Sequence, residues 1–291
     1  MKHMKKQFIL IALFTCSILN ITSAQESNEI RLLVRGDDIG MSHSVNEACI
    51  AAYREGIMRT VEVMVPCPWF LEAVKLLNEN PGLEVGVHLV LNSEWEGFKC
   101  RPLTSAPSLV DENGYFYPIV NPGKNFPDSL AFVNIEWDST EVDNELRAQI
   151  ALALKHIPHI NHLSPHMAVM LCDPDLIKIF EKVAMDYNFK YEYSLGITRL
   201  KGVGNRKNTH LEKESALIEI LEELQPGTWM LLRHPAFDTP EMQAITHPGY
   251  DNVAEDRAGD TFILTSDKVA EVIKRRGIQL ITYQDLLETV E

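Results

Sequence analysis

The chain has 291 residues, of which 45% are hydrophobic and 23% charged, and its formal net charge at pH 7 is −14. Such an acidic balance argues against nucleic acid and anionic membrane surfaces as partners, and it favours a neutral or amine-bearing small substrate. The length is sufficient for one large α/β barrel or for two smaller domains.

The first 24 residues have the pattern of a signal peptide. Three lysines precede an almost wholly apolar run over residues 8–21, and Thr22-Ser-Ala24 supplies the small residues of a cleavage site. Removal of three lysines and no acidic residue leaves a mature chain, residues 25–291, with a formal charge of −17. We therefore predict an exported protein, periplasmic or secreted, whose mature part is a single domain.

A membrane anchor is the weaker interpretation of this leader. Its apolar run is too short for a comfortable membrane span. Leu13-Phe-Thr-Cys16 resembles a lipobox only loosely, so a lipoprotein that starts at Cys16 is the minor alternative. Four cysteines remain in the mature chain without CxxC or metal-type spacing, and the sequence leaves open whether they pair. They are Cys49, Cys67, Cys100 and Cys172.

Along the mature chain, short runs rich in apolar and β-branched residues alternate with segments of helical spacing. Residues 60–65 alternate as a strand does, whereas residues 44–55 carry their apolar side chains on one helical face. The predicted strands cover residues 30–35, 60–65, 83–91, 159–163, 189–193, 228–233 and 278–282. The predicted helices cover residues 44–55, 68–77, 140–156, 211–224, 266–276 and 283–289, with one more that begins at Asp173-Pro174. This alternation predicts an α/β fold with a mostly parallel sheet, closed at this length as a single distorted (β/α) barrel.

Residues 92–138 interrupt this alternation. Prolines and aromatic residues are interspersed through the segment without a clear period. A long irregular insertion after a strand is usually functional or disordered, and its many aromatic residues argue against disorder. We expect the segment to form a wall of the binding site and to set specificity, with Trp95 as a substrate contact.

Ionisable side chains follow several predicted strands at their carboxyl ends. Asp37 and Asp38 follow the first strand, His88 lies late in the third, and His166 and His234 follow two later strands. In a parallel barrel these ends meet on one rim, where active groups lie. Two adjacent carboxylates repel each other unless a cation or proton lies between them. A carboxylate and two imidazoles from different strands form a ligand set for Zn²⁺ or a similar divalent ion.

Several motifs, taken together, resemble the YdjC-like carbohydrate deacetylases, also called ChbG-type. The resemblance covers essentially the whole mature chain, and its most specific parts are the Asp-Asp-Ile-Gly start and the Gly-Val-His-Leu strand. The matching segments are Gly36–Asn46, Gly56-Ile with Thr60 and Met64, Val85–Leu89, His162–His166, Arg233-His-Pro235 and Arg276–Asp285.

This resemblance implies a distorted (β/α) barrel akin to the polysaccharide deacetylases. It implies a hydrolase that removes acetyl groups from N-acetylated sugars such as chito-oligosaccharides. By the family pattern, Asp38, His88 and His166 hold one divalent ion, magnesium or zinc, and the two imidazoles favour zinc. Asp37 is then the general base, and His234 is the best match for the acid that protonates the leaving group.

The sugar contacts are expected to differ from those of the family. Its pattern has two further histidines after the third ligand, whereas this chain reads Met167-Ala-Val-Met170. We predict Arg233, Trp95 and Arg257 as substrate-binding residues. Two alternatives remain, namely a metal-dependent esterase on another acylated substrate and an exported sugar-binding protein without catalysis. The sequence also leaves open a homodimer.

Overall fold

The computed structural model of the protein describes residues 28–287 except 192 and 194, so the predicted signal peptide lies outside the described residues. The described strands form a single sheet in which every pairing is parallel. The strands are β1 (Ile30–Ile39), β2 (Thr60–Val63), β3 (Glu84–Leu89), β4 (His162–Pro165), β5 (Lys190–Tyr191), β6 (Thr198–Arg199), β7 (Gly227–Arg233) and β8 (Gln279–Ile281).

Helices follow most of these strands and cover the sheet. They are α1 (His43–Arg54), α2 (Phe70–Asn78), α3 (Ser139–His156), α4 (Pro174–Asp186), α5 (His210–Glu223), α6 (Pro240–Gln243), α7 (Val253–Leu264), α8 (Asp267–Arg276) and α9 (Tyr283–Leu287). Neighbouring strands follow the order β5-β4-β3-β2-β1-β7-β6, and β8 lies beside β1. Within the described residues no pairing joins the two-residue strands β5 and β6, so the barrel is open there. The predicted distorted (β/α) barrel is confirmed.

Strand β1 is the centre of the sheet. It pairs with β7 over its first seven residues, while β8 pairs with its beginning and β2 with its end. Leu32, Leu33 and Val34 are fully buried, as expected for a parallel strand covered on both faces. An apolar run in this position therefore fixes the strand at the middle of the core.

The sequence analysis placed the two aspartates after the first strand. In the structure they lie within the last residues of β1. The pairing with β2 shifts register between Gly36 and Ile39, and Asp38 has a left-handed backbone with φ of 75°. In a regular strand, successive side chains point to opposite faces. The irregularity instead brings both carboxylates to His88, with Asp37 Oδ2 3.7 Å and Asp38 Oδ1 3.6 Å from its Nε2.

Helix α7 was missed by the sequence analysis. Its sequence, VAEDRAGDTFIL, carries polar groups on faces that a helical pattern would assign to the core. Arg257, Asp260 and Thr261 are buried in the structure. A helix that buries charged groups against the site does not show the simple apolar stripe from which helices are recognised.

The segment 92–138 is irregular, as predicted, and is anchored by acidic side chains of α3. It contains three short 3₁₀ turns and no α-helix or strand. The carboxylate of Glu145 accepts hydrogen bonds from the backbone N–H of Leu103 and Thr104, at 3.1 and 2.9 Å. Glu141 accepts one from the N–H of Ser108 at 2.8 Å. Backbone donors of the loop are thus satisfied without regular secondary structure.

The sequence analysis left open whether the four cysteines pair, and it considered a membrane anchor the weaker interpretation of the leader. Cys49, Cys67 and Cys100 are buried free thiols, and Cys172 is a partly buried one. Among the described residues, no helix combines the length and the apolar character needed to cross a bilayer.

Candidate metal centre

Three side chains that can bind a metal ion converge at the carboxyl ends of the strands. Asp38 lies next to the end of β1, His88 lies near the end of β3, and His166 directly follows β4. One ligand atom from each can be chosen so that all three lie within 4.8 Å of one another, and all three residues are buried. The structure thus brings together the three residues predicted as metal ligands.

The geometry of this group fits a divalent ion. Asp38 Oδ1 is buried and has no hydrogen-bond partner among the described residues. It lies 3.6 Å from His88 Nε2 and 3.5 Å from His166 Nδ1, which is too long for good hydrogen bonds. Two atoms that each lie about 2.0–2.1 Å from a tetrahedral zinc ion are roughly 3.3–3.4 Å apart. The spacing therefore suits shared coordination better than direct bonding.

Glu94 orients the imidazole of His166. Its Oε2 lies 2.9 Å from His166 Nε2, and a carboxylate can only accept, so Nε2 carries a hydrogen and Nδ1 faces Asp38. Burial lowers the pKa of His166, but the charge of Glu94, the hydrogen bond to Glu94 and the nearby carboxylate of Asp38 raise it well above its ordinary value. The raised pKa favours the protonated imidazole in the metal-free protein, so an ion that binds at Nδ1 must displace a proton.

The imidazole of His88 has a hydroxyl group as its hydrogen-bond partner, unlike that of His166. Its Nδ1 lies 2.7 Å from Ser164 Oγ, which leaves Nε2 on the side of Asp37 and Asp38. Burial is the largest influence and lowers the pKa of His88, despite the nearby charge of Asp37. The two imidazoles thus present different nitrogens to the centre, Nε2 of His88 and Nδ1 of His166.

The second oxygen of Asp38 is bound by Arg257 of α7. Arg257 Nη2 lies 2.7 Å from Asp38 Oδ2, and both side chains are almost completely buried. Burial alone raises the pKa of Asp38, but the Arg257 guanidinium and the nearby His166 hold it well below its usual value. Asp38 therefore stays ionised, with Oδ1 directed at the two histidines.

Asp37 is separate from this ligand group and is bound by Arg35. The guanidinium donates to both carboxylate oxygens, from Nε to Oδ1 at 2.6 Å and from Nη2 to Oδ2 at 2.8 Å. Such a bidentate pair fixes the plane of the carboxylate. Each oxygen keeps a lone pair, so Asp37 can still accept a proton at the edge of the centre.

A cavity of about 390 Å³ opens over the centre. It is lined by Asp37, Asp38, His88, Glu94, Trp95, His166, Met167, Ala168, Arg233, His234, His247, Tyr250 and Arg257, among others. All eight residues predicted to be catalytic, metal-binding or substrate-binding therefore border one space.

The cavity wall combines aromatic rings with unpaired donors. The ring of Trp95 lies 5.3 Å from His247 and 5.8 Å from Tyr250, measured between centroids. Among the described residues, Trp95 Nε1 and Arg233 Nε are buried without hydrogen-bond partners. A buried donor without a partner is costly, so these groups are available to oxygen atoms of a ligand.

The two apolar residues that follow His166 also line the cavity. Met167 and Ala168 both have left-handed backbone, with φ of 49° and 54°, a conformation costly for residues other than glycine. Both line the space above the metal centre. The chain therefore places two apolar side chains beside His166 in the wall of the cavity.

Several residues of the site were not predicted. Glu94 and Arg35 each contact a predicted residue directly, whereas Ser164 and Glu62 form a buried chain behind His88. Glu62 is a charged residue in the middle of a β-branched strand, and a buried carboxylate there requires partners. That position was the one signal in the sequence that could have indicated the network.

Fold and site together define a (β/α)-barrel protein with a candidate Asp-His-His metal centre. The chain belongs to the YdjC-like protein family, whose model matches residues 31–275.

Relatives of known name support this assignment. A carbohydrate deacetylase of Thermus thermophilus is 32% identical over 83% of this chain and 89% of its own length. A carbohydrate deacetylase of Thermoanaerobacter pseudethanolicus is 27% identical over 88% of this chain and 98% of its own. A proposed cellobiose-phosphate cleavage protein of Enterococcus faecalis has a similar solved structure. The TM-score is 0.70 at 25% identity, and the match covers 89% of this chain and 99% of that one.

Proposed function

We propose that the protein is a metal-dependent carbohydrate deacetylase that hydrolyses the acetamido group of an N-acetylated sugar, such as a chito-oligosaccharide. The observation that carries the proposal is the division of labour between the adjacent aspartates. Asp38 directs at two imidazoles an oxygen that has no hydrogen-bond partner among the described residues, while Asp37 is fixed beside them by Arg35. The names of the curated relatives support the same reaction.

Asp38, His88 and His166 would hold the ion, and their two imidazoles favour zinc over magnesium. A divalent ion at this position supplies a Lewis acid for the acetyl carbonyl and lowers the pKa of water. The remaining steps belong to the side chains of the protein.

Asp37 acts as the general base. It takes a proton from the water whose oxygen adds to the acetyl carbon, and its bidentate pairing with Arg35 keeps the accepting oxygen in place. His234, which borders the same cavity, gives a proton to the nitrogen as the carbon–nitrogen bond breaks. The products are acetate and the free amino sugar.

Trp95 and Arg233 bind the sugar. The indole lies in the cavity wall, and its Nε1–H, which has no hydrogen-bond partner among the described residues, can donate to a hydroxyl group of the sugar. Arg233 offers Nε in the same way. Arg257 lines the cavity as well, but its guanidinium is engaged with Asp38, so its contribution to substrate binding is secondary. With the predicted leader removed, the enzyme acts outside the cytoplasm.

The test is acetate release by the purified mature protein. Di-N-acetylchitobiose is incubated with protein stripped by a chelator, before and after Zn²⁺ or Mg²⁺ is added back, and bound metal is measured by elemental analysis. We expect near-stoichiometric metal and metal-dependent acetate release. His88→Ala should abolish both, whereas His210→Ala, on the exposed start of α5, should leave both unchanged.

Other outcomes would support the alternatives. Hydrolysis of aryl acetates without release of acetate from any N-acetylated sugar would indicate an esterase. Sugar binding without hydrolysis of either substrate class would indicate a binding protein that has lost catalysis. Activity that survives complete removal of metal would refute metal dependence.

A further inference from the structure

A chain of three hydrogen-bonded side chains leads from His88 away from the cavity. His88 Nδ1 lies 2.7 Å from Ser164 Oγ, and Ser164 Oγ donates to Glu62 Oε2 at 2.7 Å. Glu62 and Ser164 are buried, with 0% and 1% of their surface exposed. Neither borders the cavity, so neither can touch an ion or a substrate there.

Glu62 has partners on its other oxygen. His162 Nε2 lies 2.7 Å from Oε1, and Arg35 Nε lies 3.7 Å from the same atom. These positive or hydrogen-bond-donating groups compensate the buried carboxylate. Their presence explains how a glutamate is tolerated in the centre of β2, in a strand that is otherwise apolar or β-branched.

The direction of the hydrogen bonds follows from the chemistry of the groups. An ionised carboxylate only accepts, so the single hydroxyl hydrogen of Ser164 is used toward Glu62. The oxygen of Ser164 must then accept from His88, which requires a hydrogen on Nδ1. A neutral imidazole with its hydrogen on Nδ1 has its free lone pair on Nε2, and Nε2 is the nitrogen that faces Asp38.

We propose that Glu62 is a positioning residue of the metal centre, which acts through Ser164 to fix His88 in the tautomer whose Nε2 can bind the ion. The inference rests on the proposed metal site. The carboxylate of Glu94 contacts His166 directly, whereas the carboxylate of Glu62 acts on His88 only through the hydroxyl of Ser164. With an ion bound, His166 would keep its hydrogen on Nε2, toward Glu94, and His88 would keep its hydrogen on Nδ1, toward Ser164 and Glu62.

The substitution Glu62→Gln tests this arrangement with little change of shape. The amide can donate to Ser164 Oγ and so free the hydroxyl hydrogen to point at His88 Nδ1, which would move the ring hydrogen to Nε2. We expect Zn²⁺ affinity, measured by competition with a chromophoric chelator at fixed pH, to fall by about 10–100-fold. Ser164→Ala, which removes the hydroxyl, should also weaken Zn²⁺ binding. Ser164→Thr, which keeps the hydroxyl, should bind Zn²⁺ nearly as tightly as the wild type does.

Glu214→Gln is the matched control. Glu214 is also a buried glutamate that accepts from a serine hydroxyl, Ser266 Oγ at 2.6 Å, but it lies on α5, does not border the cavity and has no contact with His88. Its substitution should lower stability without changing Zn²⁺ affinity. A loss of affinity in this control equal to that of Glu62→Gln would show that any buried glutamate acts in this way, and would refute the specific role.

The tautomer itself can be observed in the metal-free wild type. Long-range proton–nitrogen correlation spectra of histidine-labelled protein distinguish the two neutral forms, and His88→Gln identifies the signal. We expect hydrogen on Nδ1 in the wild type and loss of that pattern in Glu62→Gln. Hydrogen on Nε2 in the wild type would overturn the proposal even if no variant folds.

The same titration separates this inference from the proposed function. A wild type that binds no divalent ion refutes the metal site itself. A wild type that binds Zn²⁺, beside a Glu62→Gln variant of affinity within twofold, refutes the positioning role alone.

Discussion

Arg257 Nη2 lies 2.7 Å from Asp38 Oδ2 in a pair that is almost completely buried. The guanidinium comes from α7 and the carboxylate from the end of β1, 219 residues away in sequence. The pair leaves Asp38 Oδ1 without a hydrogen-bond partner among the described residues. Arg257 therefore compensates the charge of Asp38 while leaving one oxygen for an ion.

Loss of Arg257 should make stability depend on metal. In Arg257→Met the buried carboxylate loses its partner, and the metal-free protein should be destabilised by about 3–5 kcal/mol. Saturating Zn²⁺ should restore much of this, because the ion then compensates the charge. Denaturant unfolding with and without metal measures both quantities.

The control for this substitution is Arg147→Met. Arg147 forms partly exposed pairs with Asp143 and Asp186 on the surface, so its loss should cost less than about 1 kcal/mol with or without metal. A metal-independent destabilisation of Arg257→Met would contradict the proposed role.

The two aspartates should respond differently to the same chemical change. Asp38→Asn should lose the bound metal and all activity, since it removes a charged ligand. Asp37→Asn should retain metal and lose about 10²–10⁴-fold in turnover, because a general base is lost while the ligands remain. Elemental analysis and acetate release, measured side by side, decide this. Equal metal loss in both variants would contradict the division of roles.

Metal binding should release a proton from His166. Its raised pKa means that the protonated form dominates from below pH 6.5 up to the higher pKa of the folded protein. Within this window Zn²⁺ affinity should rise about tenfold per pH unit. The stability that His166 gives the metal-free protein has the opposite trend. It is complete below about pH 6.5 and is lost as the pH rises through the raised pKa.

Calorimetry in two buffers of different ionisation enthalpy counts the released protons. We expect nearly one proton per ion at pH 7 in the wild type. Glu94→Gln should release fewer, because the charge of Glu94 is the largest influence that raises the pKa of His166. Binding at pH 7 without proton release would show that His166 is neutral in the metal-free protein.

Glu145→Gln should loosen the segment 92–138. The carboxylate of Glu145 accepts from the N–H of Leu103 and Thr104 and from the hydroxyl of Thr104. An amide can accept fewer of these bonds, and each hydrogen bond lost from this partly exposed anchor costs about 0.5–1.5 kcal/mol. Hydrogen exchange should accelerate at Leu103 and Thr104 and remain unchanged in β1. Uniform acceleration across the barrel would instead indicate global destabilisation.

The sequence by itself determined the parallel barrel and the residues of the rim. Apolar runs such as Leu32–Val34, alternating with helical segments, predict buried strands, and parallel strands place their carboxyl ends on one side. This rule was sufficient to group Asp37, Asp38, His88 and His166 from the sequence alone. It was less accurate at the boundary of β1, because a register shift is a property of the pairing with β2 and not of either strand alone.

Only the tertiary structure decided which groups surround each of these residues. Arg257 reaches Asp38 from a helix whose buried polar residues hide its periodicity, and Glu94 reaches His166 from an irregular segment. Glu62 and Ser164 meet behind His88 from two different strands. Spacing along the chain carries no information about such contacts, because hydrogen bonds between distant elements depend on how the elements pack. The group of candidate residues was therefore predictable from strand ends, and the ligand set within it from the family resemblance, whereas the partners that fix charge and tautomer were predictable from neither.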